Sequence, residues 1–162
     1  IGADEISAGG PPPAVADAQC PAYTYEGNTM FDGGALQVDG SASVDATGYL
    51  WAQLGGLDVG VNGAVTARVA FTAPALDTST ELTIAQASLE FQLEVAPGGD
   101  TDTCACYVRI PGDANGDNIV NAFDLARIRQ LHPEADFNGD GSVNAFDLAK
   151  LRQNGSRRRL PD

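Results

Sequence analysis

Positive charge is scarce over the first two-thirds of this chain. Up to Ile110, only Arg68 and Arg109 stand against 14 acidic side chains, and the 162 residues together carry a formal charge of −13. Nucleic-acid binding needs clustered Lys and Arg to neutralise phosphates, so no nucleic-acid partner is expected. The acidity reads instead as a solubilising surface for a salty or extracellular setting. Long apolar runs are missing too. A membrane span takes roughly 18–20 consecutive apolar residues, and no stretch approaches that length. Histidine occurs once, as His132 beside Pro133, and no nucleophile–base pairing is visible. Catalysis is therefore not expected of this chain: Asp and Glu are abundant, but a small β domain has little room for a glycosidase cleft. The first residue is Ile1 rather than Met, so the sequence reads as a mature chain or a fragment, and a missing signal peptide carries no weight on compartment.

Cysteine is also sparse. Cys20, Cys104 and Cys106 leave one thiol over after any pairing. Cys104 and Cys106 lie two apart in TCACYVRI and share a face if that run is a strand. Cys20 can then reach either of them, provided the first and last strands are neighbours. One disulfide plus one free thiol is the favoured reading; three reduced, buried thiols in a reducing compartment is the alternative. C-x-C with a distant third Cys and a lone His lacks the spacing of a zinc site.

What the chain does contain divides it in two. Residues 1–13 are rich in Gly, Pro and Ser and end in Pro11-Pro12-Pro13, a semi-rigid extended lead-in. From Ala14 to Ile110 there is no helical periodicity. Short β-prone runs (AYTYE, ALQVDG, GYLWAQL, AVTARVAF, ASLEFQLEVA and CACYVRI) are broken by Gly, Asn, Asp and Pro. In SLEFQLEV, Leu89, Phe91 and Leu93 fall on one side and Glu90, Gln92 and Glu94 on the other. Such spacing predicts an antiparallel sandwich. Trp51, Tyr23, Tyr25, Phe71 and Phe91 are expected in its core or in cross-strand packing, in preference to a ligand platform. Pro111-Gly112 marks the boundary to a different kind of sequence.

Beyond it, DANGDNIVNAFDLARIRQ (Asp113–Gln130) is followed by DFNGDGSVNAFDLAKLRQ (Asp136–Gln153), identical at 13 of 18 positions. Counted from the first Asp, positions 1, 3, 5, 7, 9 and 12 are Asp113, Asn115, Asp117, Ile119, Asn121 and Asp124 in one copy. In the other they are Asp136, Asn138, Asp140, Ser142, Asn144 and Asp147. Alternating hard-oxygen side chains in a tight loop suit Ca²⁺, which takes about six to eight oxygens at roughly 2.3–2.6 Å. Position 7 gives its backbone carbonyl, so Ile119 and Ser142 can differ. Position 6 has to turn sharply, which Gly141 does at little cost and Asn118 tolerates. Two Ca²⁺ ions are expected, one per loop. Position 12 is Asp where an ordinary EF-hand has Glu, and neither YVRIPG nor LHPEA supplies an entering helix, so each unit is a loop plus an exit helix.

Two family resemblances follow from these residues. Asp39-Gly40-Ser41-Ala42-Ser43, Trp51, VAFTAPAL (Val69–Leu76) and LEFQLEV (Leu89–Val95) resemble the polycystic-kidney-disease (PKD) type of immunoglobulin-like module. The duplicated half-hand over Gly112 to Gln153 is similar to the dockerin module of cellulosome-type assemblies. Together they imply a multidomain chain: a linker over 1–13, an all-β immunoglobulin-like sandwich over 14–110, a small all-α paired EF-hand-like dockerin over 111–156 and a basic tail over 157–162. The dockerin likeness implies helices paired about a pseudo-twofold axis, with Leu125, Ile128, Leu148 and Leu151 as the buried stripe and Val120 and Val143 under the loops. So small a core is expected to fold only on Ca²⁺. Its implied partner is a cohesin domain, met through Ala122, Phe123, Arg129 and Gln130 and the matching Ala145, Phe146, Arg152 and Gln153. Because the two sets are alike in type, docking in two orientations is implied. Arg127 and Lys150 would edge that face with positive charge, and Arg157-Arg158-Arg159 reads as an ordinary basic tail. The resemblance further implies a secreted or cell-surface protein, with polysaccharide as a partner of a longer parent. A carbohydrate- or surface-binding sandwich, with a further Ca²⁺ among Asp39, Asp45 and Asp58, and a brace beside the dockerin are the alternative readings of residues 14–110.

Overall fold

Alternation in the sequence becomes a sheet in the structure, a computed structural model that describes residues 10–75 and 81–162. Most of the expected lead-in, and Leu76 of the VAFTAPAL segment, lie outside the described residues. The strands are Tyr23–Tyr25 (β1), Met30–Phe31 (β2), Gly34–Ala35 (β3), Gln37–Asp39 (β4), Gly48–Gly55 (β5), Arg68–Ala70 (β6), Ser88–Ala96 (β7) and Asp100–Arg109 (β8). In β7, Leu89, Phe91, Leu93 and Val95 are buried while Glu90 and Glu94 face solvent, the period of 2 that a half-buried strand requires. β7 pairs antiparallel with β5 (Trp51↔Leu93) and with β8 (Phe91↔Cys104), giving a sheet in the order β1-β8-β7-β5. A second ladder joins β4 to β6 antiparallel (Val38↔Val69). Leu36, Val38 and Phe71 share one apolar core with Trp51, Phe91 and Leu93 of the larger sheet.

Trp51 is fully buried and its Nε1 donates to the Thr66 carbonyl at 3.1 Å, so it is a core residue and offers no face to a sugar. Tyr25, Phe71 and Phe91 are buried as well. One feature departs from the expected antiparallel arrangement. β1 runs parallel to β8, with Tyr23↔Tyr107 and Tyr25↔Arg109 in register. A parallel neighbour needs a long crossover rather than a hairpin, and the whole intervening β structure serves as one. With the first and last strands adjacent, a disulfide joins Cys20 to Cys104, while Cys106 is buried and free. Burial pushes its thiol up to about 12, which leaves it inert as a nucleophile.

The helices are Ile84–Ala87 (α1, a single turn), Ala122–Arg129 (α2) and Ala145–Gln153 (α3). α2 packs on α3. Leu131, in the left-handed region at φ 52°, reverses the chain after α2, and Pro133 then opens one 3₁₀ turn, Pro133–Ala135. The helical part does not close its core alone. Of the expected stripe only Ile128 is buried; Leu148 and Leu151 are half-buried beside it and Leu125 is half-buried apart from it, and the buried centre consists of Ala114, Ile128, Ala135, Phe137 and Tyr25 from β1. The Tyr25 ring meets Phe137 edge-on at 5.0 Å, and its hydroxyl donates to the Glu134 carbonyl. Val120 is buried and Val143 half-buried beneath their loops.

Arg157 to Arg159 do not form a solvated tail. The segment is extended, so Arg157 and Arg159 point to one side and Arg158 to the other. Arg159 is buried and donates to Glu26 (2.9 Å) and to the Val108 carbonyl (2.6 Å); Arg157 donates to Glu26 (3.0 Å) and Glu81 (2.8 Å). The physical reason is Glu26, a carboxylate only 7% exposed, whose burial is tolerable only against paired charge. Burial pushes Glu26 above the ordinary carboxylate range, and the two guanidinium groups pull against it. Bridges Ile119↔Arg158 and Thr83↔Leu160 knit the same segment into both parts of the chain.

Candidate metal centre and docking face

Each repeat folds around its first Asp. Asp113 Oδ1 accepts from the backbone N–H of Gly116 (2.8 Å) and Asp117 (3.1 Å), and Oδ2 from Asn118 (2.9 Å). Asp136 does the same with Gly139 (2.9 Å), Asp140 (3.2 Å) and Gly141 (2.8 Å). Positions 3 and 5 continue the pattern, Asn115 and Asn138 accepting from the N–H two residues on, then Asp117 from Ile119 and Asp140 from Ser142. These Asx turns curl each loop around its first Asp. At position 6 the chain is left-handed in both copies, Asn118 at φ 69° and Gly141 at φ 90°. Asn is strained there relative to Gly, though far less than a branched residue.

Positions 9 and 12 have a second task beyond the ligand role expected of them, one legible in N-x-x-D. Asn121 accepts from Phe123 N–H and Asp124 accepts from Asn121 N–H, both at 2.8 Å, forming a capping box that starts α2. Asn144 and Asp147 start α3 identically. The last carboxylate of each loop is thus fixed by its helix. Asp124 also accepts from Asn115 N–H (3.2 Å) and Asp147 from Phe137 N–H (2.7 Å), which ties that carboxylate back across the loop.

Asp113, Asp124 and Asp147 are fully buried, and among the described residues no repeat carboxylate is ion-paired with Lys or Arg. Burial holds Asp113, Asp124 and Asp136 above the ordinary carboxylate range; neighbouring carboxylates push the same way and backbone N–H groups oppose it. Buried like charges without a counter-ion are costly, and a hard divalent cation relieves them. Oxygen donors only, with Asn amides among them, fit Ca²⁺ better than a transition metal. Carboxylates alone do not complete a cage. Among the described residues no three His, Cys, Asp or Glu side chains stand together as a metal-binding group, so Asn115, Asn121, Asn138 and Asn144 and the carbonyls of Ile119 and Ser142 are needed to complete either set. Asp39 pairs with Arg68 at 2.8 Å and Asp58 accepts from Gly60 N–H at 2.8 Å.

The residues expected to meet a partner all lie exposed. Ala122 and Phe123 open α2 and Arg129 and Gln130 end it; seven residues are nearly two helical turns, so the pairs line one stripe. Ala145, Phe146, Arg152 and Gln153 repeat the arrangement on α3. Phe123 and Phe146 are each 73% exposed. They cap no core, and the two copies present them alike. Arg127 turns away toward Glu134 (3.3 Å) and is half-buried, which removes it from the expected positive rim.

Among the described residues no helix is long and apolar enough to cross a membrane. No match was found among curated proteins or solved structures. The family model described as the dockerin type I domain matches residues 111–154, a span that takes in both repeats. Dockerin domains bind calcium and in general serve calcium-dependent docking to a cohesin, and the match supports that general role for residues 111–154.

Proposed function

We propose that this chain is a non-catalytic docking component that holds two Ca²⁺ ions and attaches its parent protein to a cohesin in either of two orientations. The observation that carries the reading is the equality of the two faces: the residues identical between the copies include Ala-Phe and Arg-Gln, which ligate no metal, and both phenylalanines stand equally free. The ions would be held by Asp113, Asn115, Asp117, Ile119, Asn121 and Asp124, and by Asp136, Asn138, Asp140, Ser142, Asn144 and Asp147. Ca²⁺ would neutralise the buried carboxylates, while the chain's own capping boxes and Asx turns orient them. A disulfide between Cys20 and Cys104 supports a secreted or cell-surface setting. The buried Trp51 after the DGSAS segment supports a PKD/immunoglobulin-like kinship for residues 14–110.

For that β-rich part, bracing is favoured over sugar binding. Tyr25 completes the helical core and Arg157 and Arg159 bolt the two parts together, whereas the Trp that could stack on a sugar is buried. Polysaccharide would then be a partner of the parent only. Capture on a panel of immobilised cohesin domains, in calcium and in chelator, tests the docking role; retention that ignores calcium would refute it.

A pH dependence follows from the raised carboxylates. Asp113, Asp124 and Asp136 take up protons at a higher pH than ordinary aspartates in the metal-free chain, and each proton competes with the ion. Calcium affinity measured calorimetrically is therefore expected to fall on acidification, starting above the usual carboxylate range near pH ~4. An affinity flat down to that range would contradict the burial of these groups.

A further inference from the structure

The two loops differ in sequence at position 2, Ala114 against Phe137, yet the backbone carbonyl there is held in the same way in both. In the first loop, Arg109 of β8 donates from Nη1 to the Ala114 carbonyl at 3.2 Å. In the second, Asn28, which follows β1, donates from Nδ2 to the Phe137 carbonyl at 3.0 Å. Each held carbonyl lies between the ligand positions 1 and 3. Position 4 is pressed from the same side. A Cβ on Gly116 would come within 2.9 Å of Arg109 Nη2, and one on Gly139 would run into the Met30 carbonyl. Gly33 N–H also donates to the Gly139 carbonyl (2.9 Å). Asn28 is buried, and the Arg109 guanidinium is fixed by stacking over Tyr23 at 4.1 Å. Neither donor is free to wander.

We propose that Arg109 and Asn28 are positioning residues for the two metal loops, each holding one loop from the β-rich part in the shape that receives calcium. This rests on the calcium-loop reading above. A loop already bent into shape has less conformational entropy to lose when the ion arrives. The β-rich part thereby sets the affinity of each loop separately, through one side chain apiece.

The test is a calcium titration of the full chain followed by NMR at the backbone amides of Asn118 and Gly141, which report the first and second loop. Asn28→Ala is expected to weaken the second loop about tenfold, the scale of one lost hydrogen bond to a buried carbonyl, and to leave the first within about twofold. Arg109→Met, which keeps the apolar stem over Tyr23, is expected to do the reverse, and Arg109→Lys, which keeps a donor, to recover most of the loss. Asn28→Leu, which retains the volume, repeats the test if the alanine variant loses its β-sheet dichroism. Equal weakening of both loops by either variant would mark a general structural role and overturn the proposal, as would unchanged affinity at both. A wild-type chain that takes up no calcium would overturn the calcium-loop reading itself, and this inference with it.

Discussion

Phe123→Ala or Phe146→Ala alone is expected to weaken cohesin binding only about twofold, while the double variant loses roughly thirtyfold or more. Each phenylalanine is 73% exposed at the start of its helix, and its neighbours on the stripe are repeated on the other helix. If either face can dock, removing one leaves the other intact and costs only the statistical factor. Removing both takes away the aromatic anchor in each orientation. A central aromatic hot spot is worth ~2 kcal/mol or more, roughly thirtyfold in affinity, so the double variant loses at least that factor in both orientations. Because both rings are exposed, calcium uptake and thermal stability are expected to stay unchanged, which separates loss of docking from loss of fold. A large loss from one single variant would mean that one face alone is used.

Glu26→Ala is expected to destabilise the chain by about 3–5 kcal/mol, the usual cost of removing one partner of a buried ion pair. Among the described residues, Arg159 would be left buried opposite the Val108 and Leu82 carbonyls, and Arg157 would keep Glu81 and the Asn154 side-chain oxygen. For a chain of this size each kcal/mol shifts the melting point by about 2–4 °C, so a fall of roughly 6–20 °C is expected in calorimetry. Arg158→Ala, on the exposed side of the same extended segment, is expected to change it by less than about 2 °C, within the range of ordinary surface substitutions. If both variants melted like the wild type, the arginines would be a solvated tail after all.

The uneven legibility of this chain has physical causes. Strand faces such as Leu89, Phe91 and Leu93, and the position-6 turns at Asn118 and Gly141, are local and were readable from period and residue type. The capping boxes are equally local, but in Asn121 and Asp124 the same residue types serve both as expected ligands and as helix caps. What was not readable depends on contacts far apart in sequence. The parallel pairing of β1 with β8 leaves no mark on either strand. Tyr25 looks like any β-strand tyrosine until Phe137 packs on it. Phe137 itself is where the repeats differ, a difference that makes sense only once the second loop is seen to face the β-rich part. Arg157 and Arg159 carry the same composition as a basic tail, and only the buried Glu26 distinguishes a bolt from a tail. That the helical core takes Tyr25 from the sheet is likewise a long-range contact, with no local pattern in β1 to announce it.

Calcium-dependent docking is tested most directly by calorimetric titration of a cohesin into the full chain, once with calcium and once with chelator in excess. Saturable one-to-one binding in calcium, lost in chelator and restored when calcium is returned, is the expected result. Binding of equal strength in chelator, or none to any cohesin with calcium present, would contradict it.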